Sequence, residues 1–162
     1  MKRFIQIFLI SCLAFVGLSS CETYDDDYDQ DFSPVFPLCG EWRVDIFNAA
    51  TNAKVTRTTV YTYDTADKSS TAMWLWVNNT TYGTKCKISC DPAAATFSGT
   101  NVANALYTGT TNTVTNGVVV VNGSTTPSGG KSDSIEFTYY SSKASTTYNI
   151  KGYRRTGWPE DE

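Results

Sequence analysis

Between residues 38 and 158 the chain shows no sustained 3.6-residue rhythm of apolar positions. Short segments instead alternate apolar and polar side chains with a period of two, and they are rich in Thr, Val and Tyr. That rhythm predicts strands, because successive side chains on extended backbone point to opposite faces. Eight segments qualify: 41–48, 55–63, 71–77, 84–90, 94–100, 113–122, 134–141 and 146–155, with Leu106 and Tyr107 as a short extra candidate. Clusters of Asn, Gly, Ser and Asp separate them, in hairpin-like loops at 48–54 and 78–83 and a longer flexible one at 122–130. Alternation assigns Trp42, Val44 and Ile46 to one face, and likewise Cys86, Ile88 and Cys90, then Ile135, Phe137 and Tyr139, then Tyr148 and Ile150. The third segment, from Ala72 to Val77, is apolar on both faces. It is either covered on both sides, or it turns its tryptophans or its aliphatics to a ligand or partner. Eight antiparallel strands over 38–158 predict an all-β domain, either a closed barrel or a two-sheet sandwich.

Ahead of that domain the pattern changes. Lys2 and Arg3 precede the mostly apolar run 4–18, which has the length of a signal-peptide core and is short for a membrane span. The run ends in Leu18-Ser19-Ser20-Cys21, which resembles the bacterial lipobox. The resemblance implies that 1–20 is a signal peptide and that Cys21 is acylated, for instance with palmitate, as the first mature residue. Six of the next ten residues are acidic, so 21–37 reads as a self-repelling, extended tether closed by two prolines. An acidic cluster directly behind such a Cys resembles the surface-export signal of Bacteroidetes-type lipoproteins. The resemblance implies an outer-membrane protein exposed at the cell surface.

Charge and composition narrow the function. The chain has no histidine, which excludes Ser-His-Asp and Cys-His chemistry, His-ligated zinc and an imidazole base. The region 38–158 carries eleven Lys and Arg against seven Asp and Glu, a net +4 with no basic run. Residues 159–162 form an acidic tail with three carboxylates. Spread in this way, the bases predict no nucleic-acid partner, and contact with the membrane is expected through the lipid anchor alone.

Two further resemblances bear on the fold. Gly40-Glu41-Trp42 opens the first strand and Arg154-Arg155 closes the last. This is similar to lipocalin-like (calycin) barrels, where a G-x-W tryptophan packs under the barrel floor and a basic residue of the last strand crosses its ring. Arg154 shares the parity of Tyr148 and Ile150, so Arg154 rather than Arg155 is expected over Trp42, with Gly40 completing the closure. The mature chain as a whole resembles a Bacteroidetes lipoprotein family labelled "lipid-binding putative hydrolase". Its most telling stretch is the C-terminal run from Gly152 to Asp161. That resemblance implies a calycin-like barrel and, by its label, lipid binding. It supplies no catalytic motif.

No catalytic residue is expected. Glu41 and Asp45 share a strand face about 13 Å apart, outside the roughly 5–9.5 Å of paired glycosidase carboxylates. Asp64 and Asp67 read as turn residues. Cys86 and Cys90 are too far apart along one strand to bridge each other. Cys39 could pair with either of them, or all three could be free. No metal or other cofactor is expected. The expected function is non-enzymatic binding of a small hydrophobic or lipid-like ligand at the barrel mouth by a monomer. Trp74, Trp76, Phe137, Tyr139 and Tyr148 would line the site, with Arg57 or Arg43 available for a head group. The alternative is a surface module that holds glycan or protein through exposed aromatics around a filled barrel.

Overall fold

The computed structural model describes residues 32–162. The expected signal peptide, the expected acylation site Cys21 and the acidic stretch to Asp31 lie outside the described residues. Eight strands follow one another: β1 (Gly40–Asn48), β2 (Lys54–Asp64), β3 (Ala72–Asn78), β4 (Thr84–Asp91), β5 (Thr96–Ala103), β6 (Thr111–Thr125), β7 (Lys131–Ser141) and β8 (Thr146–Arg154). Each pairs antiparallel with the next, and β1 pairs with β8, so the sheet closes into a barrel. The barrel, not the sandwich, is the fold. Closure leaves no sheet edge open to other chains.

Parity decides what faces inward. Trp42, Val44 and Ile46 of β1 are buried, as are Met73, Leu75 and Val77 of β3 and Ile135, Phe137 and Tyr139 of β7. Together with Cys86, Ile88, Phe97, Val114, Tyr148 and Ile150 they form one core. The β1–β8 seam is especially close at Gly152, which lies opposite Val44. A Cβ at position 152 would overlap the backbone of Arg43 and Val44.

Several boundaries differ from the sequence reading. The strand expected at 94–100 is shifted along the chain, and β4 and β5 share only three pairs, Ser89 with Ser98, Cys90 with Phe97 and Asp91 with Thr96. Beyond them the backbone NH of Lys85 donates to the Asn104 side chain, and its carbonyl accepts from the NH of Ala105. Leu106 and Tyr107 form no strand, because the same Asn104 side chain accepts from Leu106 N and folds the segment into a turn. The first four residues of the loop expected at 122–130 belong to β6, with Ser124 opposite Ser132 and Thr125 opposite Lys131. Only the turn from Thr126 to Gly130 remains, with Gly129 at a φ of 89°.

The two ends of the described chain also belong to the folded unit. Sequence reading assigned 32–37 to the tether, but a 3-10 turn at Phe36–Leu38 carries Val35 and Leu38, both fully buried, against the barrel. Residues three apart eclipse on such a turn, so both apolar side chains point the same way. The expected acidic tail instead ends in a second 3-10 turn, Pro159–Asp161. Asp161 is 1% exposed and accepts from Ser128 N, Ser128 Oγ and Thr156 Oγ1, while the Tyr153 hydroxyl donates to its carbonyl at 2.6 Å.

That clasp is pH-dependent. Desolvation raises the pKa of Asp161, but the hydrogen bonds from Thr156 and Ser128 outweigh it and hold the pKa below the usual carboxylate value. A depressed folded pKa gives stability that is present above about pH 4 and lost as pH falls further. We therefore expect amide exchange at Ser128 and Tyr153 to accelerate below about pH 4, and Asp161→Asn to remove that dependence. Unchanged exchange profiles in the variant would contradict the assignment.

Candidate functional site

One end of the barrel is closed by its own side chains. Trp42 is fully buried, donates from Nε1 to Thr62 Oγ1 at 2.8 Å, and Thr62 in turn donates to the Leu38 carbonyl at 2.6 Å. The Arg154 guanidinium lies 4.4 Å from the Trp42 ring, donates to the Cys39 carbonyl at 2.5 Å and pairs with Asp133 at 3.0 Å. Gly40 makes room for it, since a Cβ there would run into Arg154 Nη1. Arg155 points the other way, to Glu41 at 2.7 Å and to Glu162.

The opposite end is closed by loops. The Tyr139 hydroxyl donates to the Tyr82 carbonyl at 2.5 Å, and the Tyr107 hydroxyl ties the 104–110 segment to the Thr80 carbonyl at 2.9 Å. Between the two ends a column of rings fills the interior. Phe97 meets Phe137 at 5.6 Å, Phe137 meets Tyr139 at 6.4 Å, Tyr139 stacks on Tyr148 at 5.2 Å and Tyr148 meets Tyr82 at 5.4 Å. Burial pushes the Tyr139 hydroxyl well above the ordinary tyrosine range. Phe137, Tyr139 and Tyr148 are therefore packed core, and no ligand shares their space in this closed form.

Trp74 and Trp76 stand on the other side of the wall. In β3 the inward residues are Met73, Leu75 and Val77, so the two tryptophans face out, half-buried. The five side chains expected to line one mouth are thus divided between the two faces of the sheet. Outside, register places Tyr61 beside Trp76, Tyr63 beside Trp74, Trp76 beside Lys85 and Trp74 beside Lys87. The Tyr61 and Trp76 rings are 5.1 Å apart and tilted by 31°. The Lys85 ammonium sits 5.4 Å from Trp76, 5.5 Å from Trp74 and 5.8 Å from Tyr63. Three aromatic faces gathered round one cation, with Tyr61 against Trp76 beside them, form a surface that is both apolar and positively charged. Tyr61, Tyr63 and Lys85 were not singled out in the sequence. Their signal was the run of outward-parity residues on neighbouring strands, readable only once the strand order is known.

Two clefts also open on the outer wall. One, of about 430 Å³, lies over β4, β5 and β6 and has a mixed lining that includes Asp91, Ser98 and Asn116 beside Cys90 and Phe97. The other, of about 290 Å³, is lined by Arg43, Asp45, Arg57, Glu136, Lys151 and Tyr153 among others. Within it Asp45 binds Arg57 at 2.7 Å and Lys54 at 2.9 Å. Desolvation raises the Asp45 pKa, but these two cations more than offset it and the net shift is downward. Arg57 is thereby committed, whereas Arg43 is not.

The thiols carry no reactive chemistry. Cys39, Cys86 and Cys90 are all free, and burial pushes Cys39 and Cys86 up to about 11, so they are protonated and poor nucleophiles at neutral pH. Among the described residues no group of three Cys, Asp or Glu comes together as a metal site.

Fold and surface together define a lipocalin-like antiparallel barrel of eight strands, its interior filled and its outer wall aromatic. The chain belongs to the family described as "Lipid-binding putative hydrolase", whose model matches residues 27–159. No curated relative matches it.

Proposed function

We propose that this chain is a non-enzymatic lipoprotein that holds a small hydrophobic or lipid-like ligand on its outer wall, at Tyr61, Tyr63, Trp74 and Trp76. The carrying observation is that three of these rings surround Lys85 on the outside of the barrel and Tyr61 lies against one of them, while the interior is packed with other rings. A lipid-like molecule offers an apolar tail for the ring faces and, where its head is anionic, a counter-charge for Lys85. Covering roughly 200 Å² of apolar surface contributes about 5 kcal/mol before association costs, which corresponds to a weak, exchangeable ligand. The lipid-binding description of the family supports the ligand class.

Lack of catalysis is supported by how the carboxylates are used. Asp45, Asp133, Glu136 and Glu41 each pair with Arg or Lys, and Asp161 clasps the C-terminus. The lipobox-like Leu18-Ser19-Ser20-Cys21 and the acidic stretch behind it support a lipid anchor at the outer membrane, facing the cell exterior, and a closed sheet with no open edge supports a monomer.

The test is a fluorescence titration of the chain with oleate and with neutral oligosaccharides. We expect saturable quenching by oleate and, read by isothermal titration calorimetry, oleate binding that is lost in a Trp74→Ala, Trp76→Ala double variant, with the far-UV spectrum unchanged. Exposed-face truncation leaves the core intact, so loss of binding would not reflect unfolding. Quenching by oligosaccharide alone would instead make the wall a sugar platform. Oleate binding that persists in the double variant would overturn the location.

A further inference from the structure

The 290 Å³ cleft over β1, β2, β6, β7 and β8 holds an unused cation. Three positively charged side chains line it, Arg43, Arg57 and Lys151, and two of them are already paired. Arg57 donates to both Asp45 oxygens, from Nε at 2.7 Å and from Nη2 at 3.3 Å, and Lys151 binds Glu136 at 2.8 Å. Arg43 makes no hydrogen bond or ion pair among the described residues, and its Nε is buried from solvent without a partner. A buried guanidinium N–H left unpaired loses its hydration with nothing in return, so it marks a place where an acceptor belongs.

We infer that Arg43 is the anchor of an oxyanion site. The ligand group is a phosphate or carboxylate, which a guanidinium grips through two parallel N–H···O bonds. Local charge agrees. Asp45 is offset by Arg57 and Lys54, Glu136 is offset by Lys151, and Arg43 leaves the cleft net positive. Its far wall carries Ser124 and Ser134, with Gly123 and Gly152 adding no side-chain bulk. The hydroxyls can donate to oxygens that the guanidinium leaves free. This cleft lies apart from the aromatic wall and does not depend on it, since none of Tyr61, Tyr63, Trp74, Trp76 or Lys85 lines it.

The same chemistry could arrive on a soluble metabolite or on a lipid head group, and the experiment separates them. The first arm follows the NMR signal of the Arg43 Nε–H group in the full chain during titration with inorganic phosphate against a chloride control of equal ionic strength. We expect a saturable downfield shift, half-complete near about 1 mM, as befits a single bidentate contact at a half-buried guanidinium. Arg43→Gln should weaken binding, read from neighbouring backbone amides, by about tenfold or more, while Arg43→Lys, which keeps the charge but not the fork, should fall between. Lys85→Gln, on the other wall, should leave phosphate binding unchanged.

The second arm measures co-sedimentation with phosphatidylcholine vesicles doped with phosphatidylglycerol, for the chain without its acyl group. Phosphate binding together with Arg43-dependent sedimentation supports the site with a lipid head group as its source. Phosphate binding without sedimentation supports it with a soluble anion. An Nε–H signal that moves equally in chloride, or phosphate affinity unchanged in Arg43→Gln, overturns the inference. Because Lys85→Gln changes only the aromatic wall, loss of oleate binding there with phosphate binding intact distinguishes failure of one site from failure of the other.

Discussion

Replacing Trp42 by Ala is expected to destabilise the barrel by about 3–5 kcal/mol, the usual cost of removing a fully buried large aromatic. Three losses combine. A cavity opens where the fully buried indole stood, Thr62 loses the indole donor, and the Arg154 guanidinium loses the ring face it lies 4.4 Å from. Against a total stability of about 5–15 kcal/mol, such a change removes a large share of the folded margin. Urea unfolding followed by far-UV circular dichroism should show the midpoint falling with little change in slope. Arg154→Ala should be milder, because the ring stays buried, yet it strands Asp133 and the Cys39 carbonyl. If Trp42→Ala lost less than about 1 kcal/mol, the floor would not be what closes this end of the barrel.

Adding a single methyl at Gly152 is expected to cost nearly as much. A Cβ there would fall on the Arg43 carbonyl and the Val44 Cα, which are backbone atoms that cannot swing aside as a side chain can. The strain must be relieved by parting β1 from β8, and that seam is what turns a sheet into a barrel. Overpacking of this kind typically costs 1–3 kcal/mol, and we expect Gly152→Ala near the upper end, at about 3 kcal/mol. Hydrogen exchange should localise the damage, with faster exchange in β1 and β8 and little change in β3 and β4. Uniform acceleration across all strands would argue against a local seam.

The fold was largely legible because a two-residue rhythm is a local property. Trp42, Val44 and Ile46 needed no tertiary information to be placed on one face, nor did the parity that put Arg154 rather than Arg155 on the inward side. Ends of elements were less legible. The 122–130 segment looks like a loop by composition, yet Ser124 and Thr125 find ladder partners in Ser132 and Lys131 and only 126–130 turns. Val35 and Asp161 sit in segments that look solvated by composition, and both are buried by what they meet far along the chain.

The wall residues show why the site was harder. β3 is apolar on both faces, so alternation cannot say whether Trp74 and Trp76 or Met73, Leu75 and Val77 point inward. Volume decides it. An eight-stranded barrel has an interior just wide enough for side chains, and Trp42, Phe97, Phe137, Tyr139 and Tyr148 already occupy much of it. Two more indoles would not fit at native density, whereas the slimmer aliphatics do.

By itself the sequence determined strand number and the inward parity of most strands, since each follows from periodicity along one segment; the resemblance to calycin barrels implied a basic cover for the floor tryptophan, and parity chose Arg154 for it. Only the tertiary structure decided that the barrel is filled, that four aromatics from two neighbouring strands share an outer wall with Lys85, and that Arg43 alone in its cleft lacks a partner. Those outcomes depend on which strands become neighbours and how much volume they enclose, and no local pattern along a chain encodes either.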